Sequence, residues 1–282
     1  MNLAHVSKIA GFGGGLNVEE RFALKAAIMK LRGEGAGKVS FWGKINGSTR
    51  DYLICCTADS SSTFPAKNFY YCTSGDYELK KLIKRSLNGK QLANAQKLQY
   101  THAFIGDPAK PIGPEGEEEE KEAEEGVTPS DMTYREVHQL AYVVWAVDNA
   151  TSIVPRGSYS MASNGALVPN PSFAGLSSQE ATNISSYYHL RPPQARAKEW
   201  ANKTGAAKME NILDQVGASR SANQGPSPVG AWAAGLNNTA DTVHVRSLEY
   251  PGYFFFHDLE DGTHGGAYFG DGKFNRDLGF ML

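Results

Sequence analysis

Three features of the sequence predict an α+β fold. Alternating, aromatic-rich runs of strand character gather at the two ends of the chain. Amphipathic stretches of helical period lie beside and between them. One acidic run fits neither pattern. The expected architecture is a mostly antiparallel β-sheet, built from an N-terminal hairpin and a C-terminal meander. Three or four helices pack on it, and residues 107–128 form an acidic low-complexity loop inside a single domain spanning 1–282.

Gly11–Gly15 reads as a flexible linker. Asn17 then supplies an N-cap and Glu20, three residues on, the partner of a capping box, so a helix starts here and runs to about Arg32. Phe22, Ala26 and Met29 share one face and Leu24, Ile28 and Leu31 widen it, which predicts a broad buried stripe. Lys30 and Arg32 suit the helix C-terminus, and Gly33 stops it. Lys38–Ile45 and Asp51–Thr57 read as strands joined at Asn46-Gly47, two residues that tolerate positive φ. Asn68–Thr73 is a third strand, and Glu78–Leu87 a basic amphipathic helix or helical turn that ends at Asn88-Gly89. The glutamates of Glu117–Glu125 repel one another and have no apolar face. Composition favours a disordered surface loop over a solvated helix. Thr128-Pro129 reopens order, with a helix to about Asp148 burying Met132, Val137, Leu140, Ala141, Val144 and Trp145. Ile153–Ser160 is a strand carrying Pro155-Arg156-Gly157. Ser177 and Glu180 form a second capping box, opening a helix to about Tyr188 that Pro192-Pro193 ends. Met209–Val216 is ambiguous, with a short helix as one reading. The chain closes on strands near Val229–Ala234, Asp241–Leu248, Tyr253–Asp258 and Ala267–Gly270.

Motifs with chemical meaning fail on physical requirements. Gly33-Glu34-Gly35-Ala36-Gly37-Lys38 lacks the first glycine of a phosphate loop. Val39 follows the lysine where a hydroxyl must ligand magnesium, and the order is helix–loop–strand. No strand precedes Gly11–Leu16, so that glycine run cannot seat a dinucleotide. In Asp258-Leu259-Glu260-Asp261-Gly262-Thr263 the glycine falls one place too early for a calcium loop. His257 and His264 flank that turn without a zinc-ligand spacing, and an exposed hairpin is expected. No nucleophile elbow occurs. These readings predict no catalytic residues, no cofactor and no metal. Arg156 is expected to make an ion pair or an interface contact, because its planar fork matches a carboxylate.

A net charge of −2 and a pI near 6.4 give no basic field for nucleic acid. No apolar run is long enough to span a membrane, and Met1–Ser7 lacks the pattern of a secretion signal. Cys55, Cys56 and Cys72 sit in strand-like runs and read as buried thiols of a reducing compartment.

The ends of the chain carry the sharpest signal. Arg246-Ser247-Leu248-Glu249-Tyr250-Pro251-Gly252 leads through Phe254-Phe255-Phe256-His257 to a terminal Asp277-Leu278-Gly279-Phe280-Met281-Leu282. Upstream lie Phe41-Trp42-Gly43-Lys44-Ile45-Asn46-Gly47 with Asp51-Tyr52-Leu53-Ile54, then Ile153-Val154-Pro155-Arg156-Gly157. Phe173, Gly175-Leu176-Ser177, Glu180-Ala181 and Ser185–Arg191 follow. These collinear blocks resemble the radial spoke head family of the motile ciliary axoneme, with Tyr250 standing where Trp is common.

The resemblance implies a non-catalytic structural subunit of the spoke head, in the cytoplasm and cytoskeleton of the cilium or flagellum. Such a subunit helps assemble the head and relays mechanical contact with the central pair to dynein arms. Implied partners are other radial spoke head proteins, chiefly the homologues numbered 4 and 6, with 1, 3 and 10, and the central pair projections. No nucleic acid or membrane partner is implied. Successive strand residues face opposite ways, so Phe254-Phe255-Phe256 needs cover on both faces, from the chain itself or from a partner. Arg156, Tyr250, Phe254, Phe255, Phe256, Phe280, Met281 and Leu282 are the candidate interface. Two rival readings are an enzyme whose site is scattered through the sequence, and a β-rich module that binds peptide or carbohydrate through exposed aromatics.

Overall fold

The computed structural model describes residues 1–59, 63–83, 89–112, 134–163, 165–194, 213–217, 231–237 and 241–278. Eight strands form one sheet, in the order β4-β3-β2-β1-β12-β11-β10-β9. Its N-terminal half is an antiparallel meander of β1 (Val39–Ile45), β2 (Tyr52–Asp59), β3 (Ala66–Thr73) and β4 (Asp76–Leu82). The C-terminal half is a second meander of β9 (Trp232–Asn237), β10 (Thr242–Ser247), β11 (Tyr253–Asp258) and β12 (His264–Gly270). The two ends of the chain meet where β1 lies parallel to β12, with Gly43 opposite Tyr268. That join explains Gly43. A Cβ there would stand 2.4 Å from the Tyr268 carbonyl oxygen. Gly43→Ala is therefore expected to cost about 2 kcal/mol, an overpacking penalty measurable by urea denaturation.

A bulge at Trp42 rephases β1. Phe41 pairs with Cys55 and Gly43 with Ile54, leaving Trp42 as the extra residue. Val39 and Phe41 consequently point to one face of the sheet, and Trp42 and Ile45 to the other.

Helices cover both faces. On one side α1 (Val18–Gly33) packs Leu24, Ile28 and Leu31 on Phe41, Leu53, Cys55 and Phe256. The N-terminal segment joins this layer. Its 3-10 turn at Leu3–Lys8 buries Val6, Ile9 follows, and the Met1 amino group donates to the Phe41 carbonyl at 2.8 Å. Gly11–Gly15 is thus no free linker, since the residues on either side of it are packed and Gly14 abuts the Phe269 ring. On the other side α3 (Glu136–Thr151) lays Leu140, Val144 and Val147 against Tyr52, Ile54, Val245 and Phe255. α2 (Gly89–Thr101) pairs with α3.

Both capping boxes are present, at Asn17–Glu20 and Ser177–Glu180. The second opens only one turn of helix, α4 (Ser178–Ala181), instead of a helix to Tyr188. The Asn183 side chain accepts from the Ser185 amide, and the chain leaves through a 3-10 turn into β8 (Tyr187–His189). The buried Tyr187 hydroxyl donates to the Ala181 carbonyl at 2.7 Å, fixing that exit. β8 pairs with β5 (Ile153–Pro155).

The expected strand 153–160 is likewise split. Arg156-Gly157 turns the chain, with Gly157 at φ 84°, into β6 (Tyr159–Met161), which pairs with β7 (Leu167–Pro169). Of Glu78–Leu87, read as a basic helix or helical turn, residues 78–82 belong to strand β4, because Tyr77 and Leu79 alternate with charged residues and pack against α1; residues 84–87 lie outside the described residues. Helix α2 is not anticipated by the sequence reading, and α3 begins several residues later than expected. Asn46-Gly47 does connect β1 to β2, but neither residue has positive φ. The loop is wider and hydrogen-bonds to Phe104 and Ile105 instead of closing a two-residue turn. Cys55 and Cys72 are buried and Cys56 half-buried, all free thiols. Of Met209–Val216, residues 213–216 are described and are not helical; Gln215 bridges to Tyr188. The acidic run 117–125 lies outside the described residues.

Candidate interaction surface

The apolar side chains of α1 form two rows. The inner row is Leu24, Ile28 and Leu31. The outer row is Val18, Phe22, Ala26 and Met29, of which Val18, Phe22 and Met29 are 83%, 79% and 64% exposed. Of the stripe expected to be buried, Leu24, Ile28 and Leu31 face the core, whereas Phe22, Ala26 and Met29 face outward. Glu20 fixes the rotation of the helix. Its carboxylate caps the Asn17 amide at 2.9 Å and accepts from the ammonium of Lys44 on β1 at 2.8 Å, and Lys44 also reaches Asp51 at 2.8 Å. Beside the outer row a groove of about 480 Å³ runs between Ala23, Ala26 and Ala27 and the strand residues Tyr77 and Leu79. Trp145 on α3, also expected to be buried, is 41% exposed.

The nominated aromatic residues separate by face. Phe255 is 1% exposed and meets the Tyr187 ring edge-on at 5.6 Å on the α3 side. Phe256 is fully enclosed on the α1 side, with the His5 ring at 5.8 Å and the Lys8 ammonium 5.7 Å over its face. Phe254 shares that side but is only half-buried. The chain itself thus covers both faces of the Phe-Phe-Phe run, with helical layers on each. Tyr250 is buried. Its hydroxyl accepts from Gln99 at 3.2 Å, and burial pushes its pKa up to about 12. Arg156 reaches solvent and pairs with Glu180, the same carboxylate that closes the capping box with Ser177. Hydrogen bonds from Ser177, with Arg156 beside it, hold the Glu180 carboxyl below its ordinary pKa. Phe280, Met281 and Leu282 lie outside the described residues.

Two carboxylates on α3 are tied to neighbouring protein groups. Glu136 has no solvent exposure on its side chain. It accepts from the Tyr52 hydroxyl at 2.6 Å and from the Ile105, Gly106 and Asp107 amides at 2.8–3.2 Å. Burial alone would raise its pKa. Contacts with His102, Tyr52 and the loop amides outweigh burial and bring it to about 2. Asp148 accepts from the Trp42 indole at 3.0 Å and from Lys67 at 2.7 Å, and Lys67 also reaches Ser152 at 2.7 Å. Burial disfavours the Lys67 charge, but Asp148 more than offsets this and its pKa rises.

His257, expected on an exposed hairpin, is fully buried. Its Nε2 accepts from the Leu176 amide at 3.0 Å, and burial, with His264 nearby, lowers its pKa to about 4. The reason is Gly262, which packs its turn onto Ala174 and Gly175 and closes the hairpin against the molecule. Among the described residues no group of three His, Cys, Asp or Glu side chains is set to hold a metal, and no helix is long and apolar enough to cross a membrane.

The two edges of the sheet differ. β4 carries Asp76, Glu78, Lys80 and Lys81, the charges with which natural edges resist further pairing. β9, Trp-Ala-Ala-Gly-Leu-Asn, has none. That contrast emerges only from the sheet order, since the charged stretch of β4 reads as helical in the sequence. The position of Glu136 was not legible there either, because nothing local marks which amides will converge on it.

No family model matches the chain. Among curated proteins it is similar to the Danio rerio protein named "Radial spoke head protein 9 homolog", 31% identical over 274 residues that cover 95% of this chain and 93% of the relative. The Bos taurus and Homo sapiens proteins of the same name are each 30% identical over 278 residues, covering 97% of this chain and 95% of theirs.

Proposed function

The chain belongs to the radial spoke head protein 9 family, and on that premise we propose that it is a non-catalytic structural subunit needed to assemble the spoke head and to relay central-pair contact to dynein arms. Its place is the radial spoke head of the ciliary or flagellar axoneme, in association with other radial spoke components. In this reading the nearest partners are the spoke-head homologues numbered 4 and 6. Further contacts go to 1, 3 and 10, and the central pair projections lie across the head.

Identity spread over at least 95% of the chain is the observation that carries the reading, because it includes both halves of the sheet and the join between them. The physical support is a single sheet joined at its centre by β1 and β12, with exposed apolar groups on the α1 helix that packs on it. Arg156 and Phe254 reach the surface and are proposed contact residues, with Phe280, Met281 and Leu282. Tyr250, Phe255 and Phe256 would act from behind, by holding the strands that present that surface. The single domain of 1–282 is part of the same proposal.

The test is replacement of the native subunit in a ciliated cell by a tagged copy of this chain. Expected results are recovery of beating and co-purification with the other radial spoke head proteins; a tagged copy absent from isolated axonemes overturns the proposal. The outer row of α1 adds a sharper expectation. Phe22→Glu with Met29→Glu should leave the isolated chain within about 0.5 kcal/mol of its original stability, because both side chains already stand in water. The same pair should weaken incorporation by about 2 kcal/mol if the row is an interface hot spot. Thermal melting of the purified chain and quantitative pull-down of spoke heads measure the two effects.

A further inference from the structure

We propose that β9 is a docking edge that receives an extended strand from another radial spoke component, and that this strand brings a carboxylate to Arg246. The inference rests on the spoke-head reading for the source of the partner, and on the geometry of the edge for its form.

Along β9 the main-chain groups alternate between the neighbouring strand and the outside. The Leu248 amide donates to the Ala231 carbonyl, so Ala231 and Leu248 are a hydrogen-bonded pair. Antiparallel pairs alternate between bonded and non-bonded types. With Ala233 opposite Arg246 and Gly235 opposite His244, the amides and carbonyls of Ala233 and Gly235 turn to β10. Those of Trp232, Ala234 and Leu236 turn away from the sheet. Among the described residues nothing bonds to them, and β9 is the last strand. Three amides and three carbonyls in register on alternate residues are a template for main-chain pairing, the mode by which a strand adds to an open sheet.

Side chains beside the edge specify the guest. On the α1 side of the sheet, Phe254, Arg246 and Ala233 form a row across β11, β10 and β9. Ala233 and Gly235 are too small to fill the space in front of Arg246, His244 and Phe254, leaving a groove of about 280 Å³ with mostly apolar walls. Arg246 is exposed within it and has no ion pair or hydrogen bond among the described residues. A strand lying outside β9 would sit two strand spacings, about 9–10 Å, from β10. An acidic side chain on that strand, facing over Ala233, spans this distance together with the extended arginine. The guest is thus an uninterrupted strand with a glutamate or aspartate on the groove side.

Two substitutions in the full-length chain test this. Ala234→Pro removes an outward amide without touching a bond to β10, a position where a sheet tolerates proline. Arg246→Glu reverses the charge. Each chain is expressed in place of the native subunit and spoke heads are isolated. Both variants are expected to melt with the parent, and recovery of the other spoke components should fall at least tenfold. Hydrogen exchange at Trp232, Ala234 and Leu236 should be fast in the isolated chain and protected in the assembled head. Normal recovery of the Ala234→Pro chain, or unprotected amides in the head, overturns the docking edge while leaving the spoke-head reading intact. Concentration-dependent dimers of the purified chain that Ala234→Pro abolishes overturn the choice of partner in favour of a second copy. Absence of the parent chain from spoke heads overturns the reading underneath.

Discussion

Glu136→Ala is expected to destabilise the chain by about 3–5 kcal/mol, since it orphans a buried hydroxyl and a cluster of loop amides at once. In a domain of this size that corresponds to a fall in melting temperature of roughly 6–15 °C. The carboxylate joins α3 to Tyr52 on β2 and to the loop at Ile105–Asp107, so its loss loosens three elements. Acid titration supplies an independent check. The folded pKa of about 2 lies below the ordinary 4.5, so the charged form is favoured by folding. The resulting stabilisation is fully present above about pH 5 and is lost as the pH falls from about 4.5 through about 2. A shift of that size is worth about 3 kcal/mol. Glu136→Gln, which takes up no proton in this window, should lack that part of the acid dependence. The parent and Gln denaturation midpoints should therefore draw closer between pH 5 and pH 2.5. Parallel curves would show that the loop amides do not depend on this charge.

The second large effect concerns the three consecutive phenylalanines. Phe255→Ala and Phe256→Ala should each cost about 3–5 kcal/mol, as expected when a fully enclosed ring is deleted and its cavity only partly collapses. Phe254→Ala should cost about 1 kcal/mol, because much of that ring already meets solvent. Chemical denaturation of the three isolated variants checks the order. A cost for Phe254 equal to that of its neighbours would mean that something covers the groove beside β9. Spoke-head incorporation of the Phe254 variant should fall although its fold persists, which separates the exposed ring from the two structural ones.

What the sequence determined by itself is local. Strand alternation, the two capping boxes and glycines at forced turns are written within a few residues of where they act. They located β1 to β3, β10, β11 and the start of α1. Over residues 78–83 the sequence fits either period, because Leu79, Leu82 and Ile83 stand among charges at short spacing. Only neighbouring β3 and α1, by burying Tyr77 and Leu79, select the strand. The same holds for α1, whose two apolar rows are equivalent in the sequence. The ion pair between Glu20 and Lys44 turns one inward and leaves Phe22 and Met29 outside. Tertiary structure alone decided the parallel join of β1 to β12, the convergence of amides on Glu136 and the burial of His257. Each depends on groups tens to hundreds of residues apart, whose meeting is set by how the whole sheet closes and by no property of either segment.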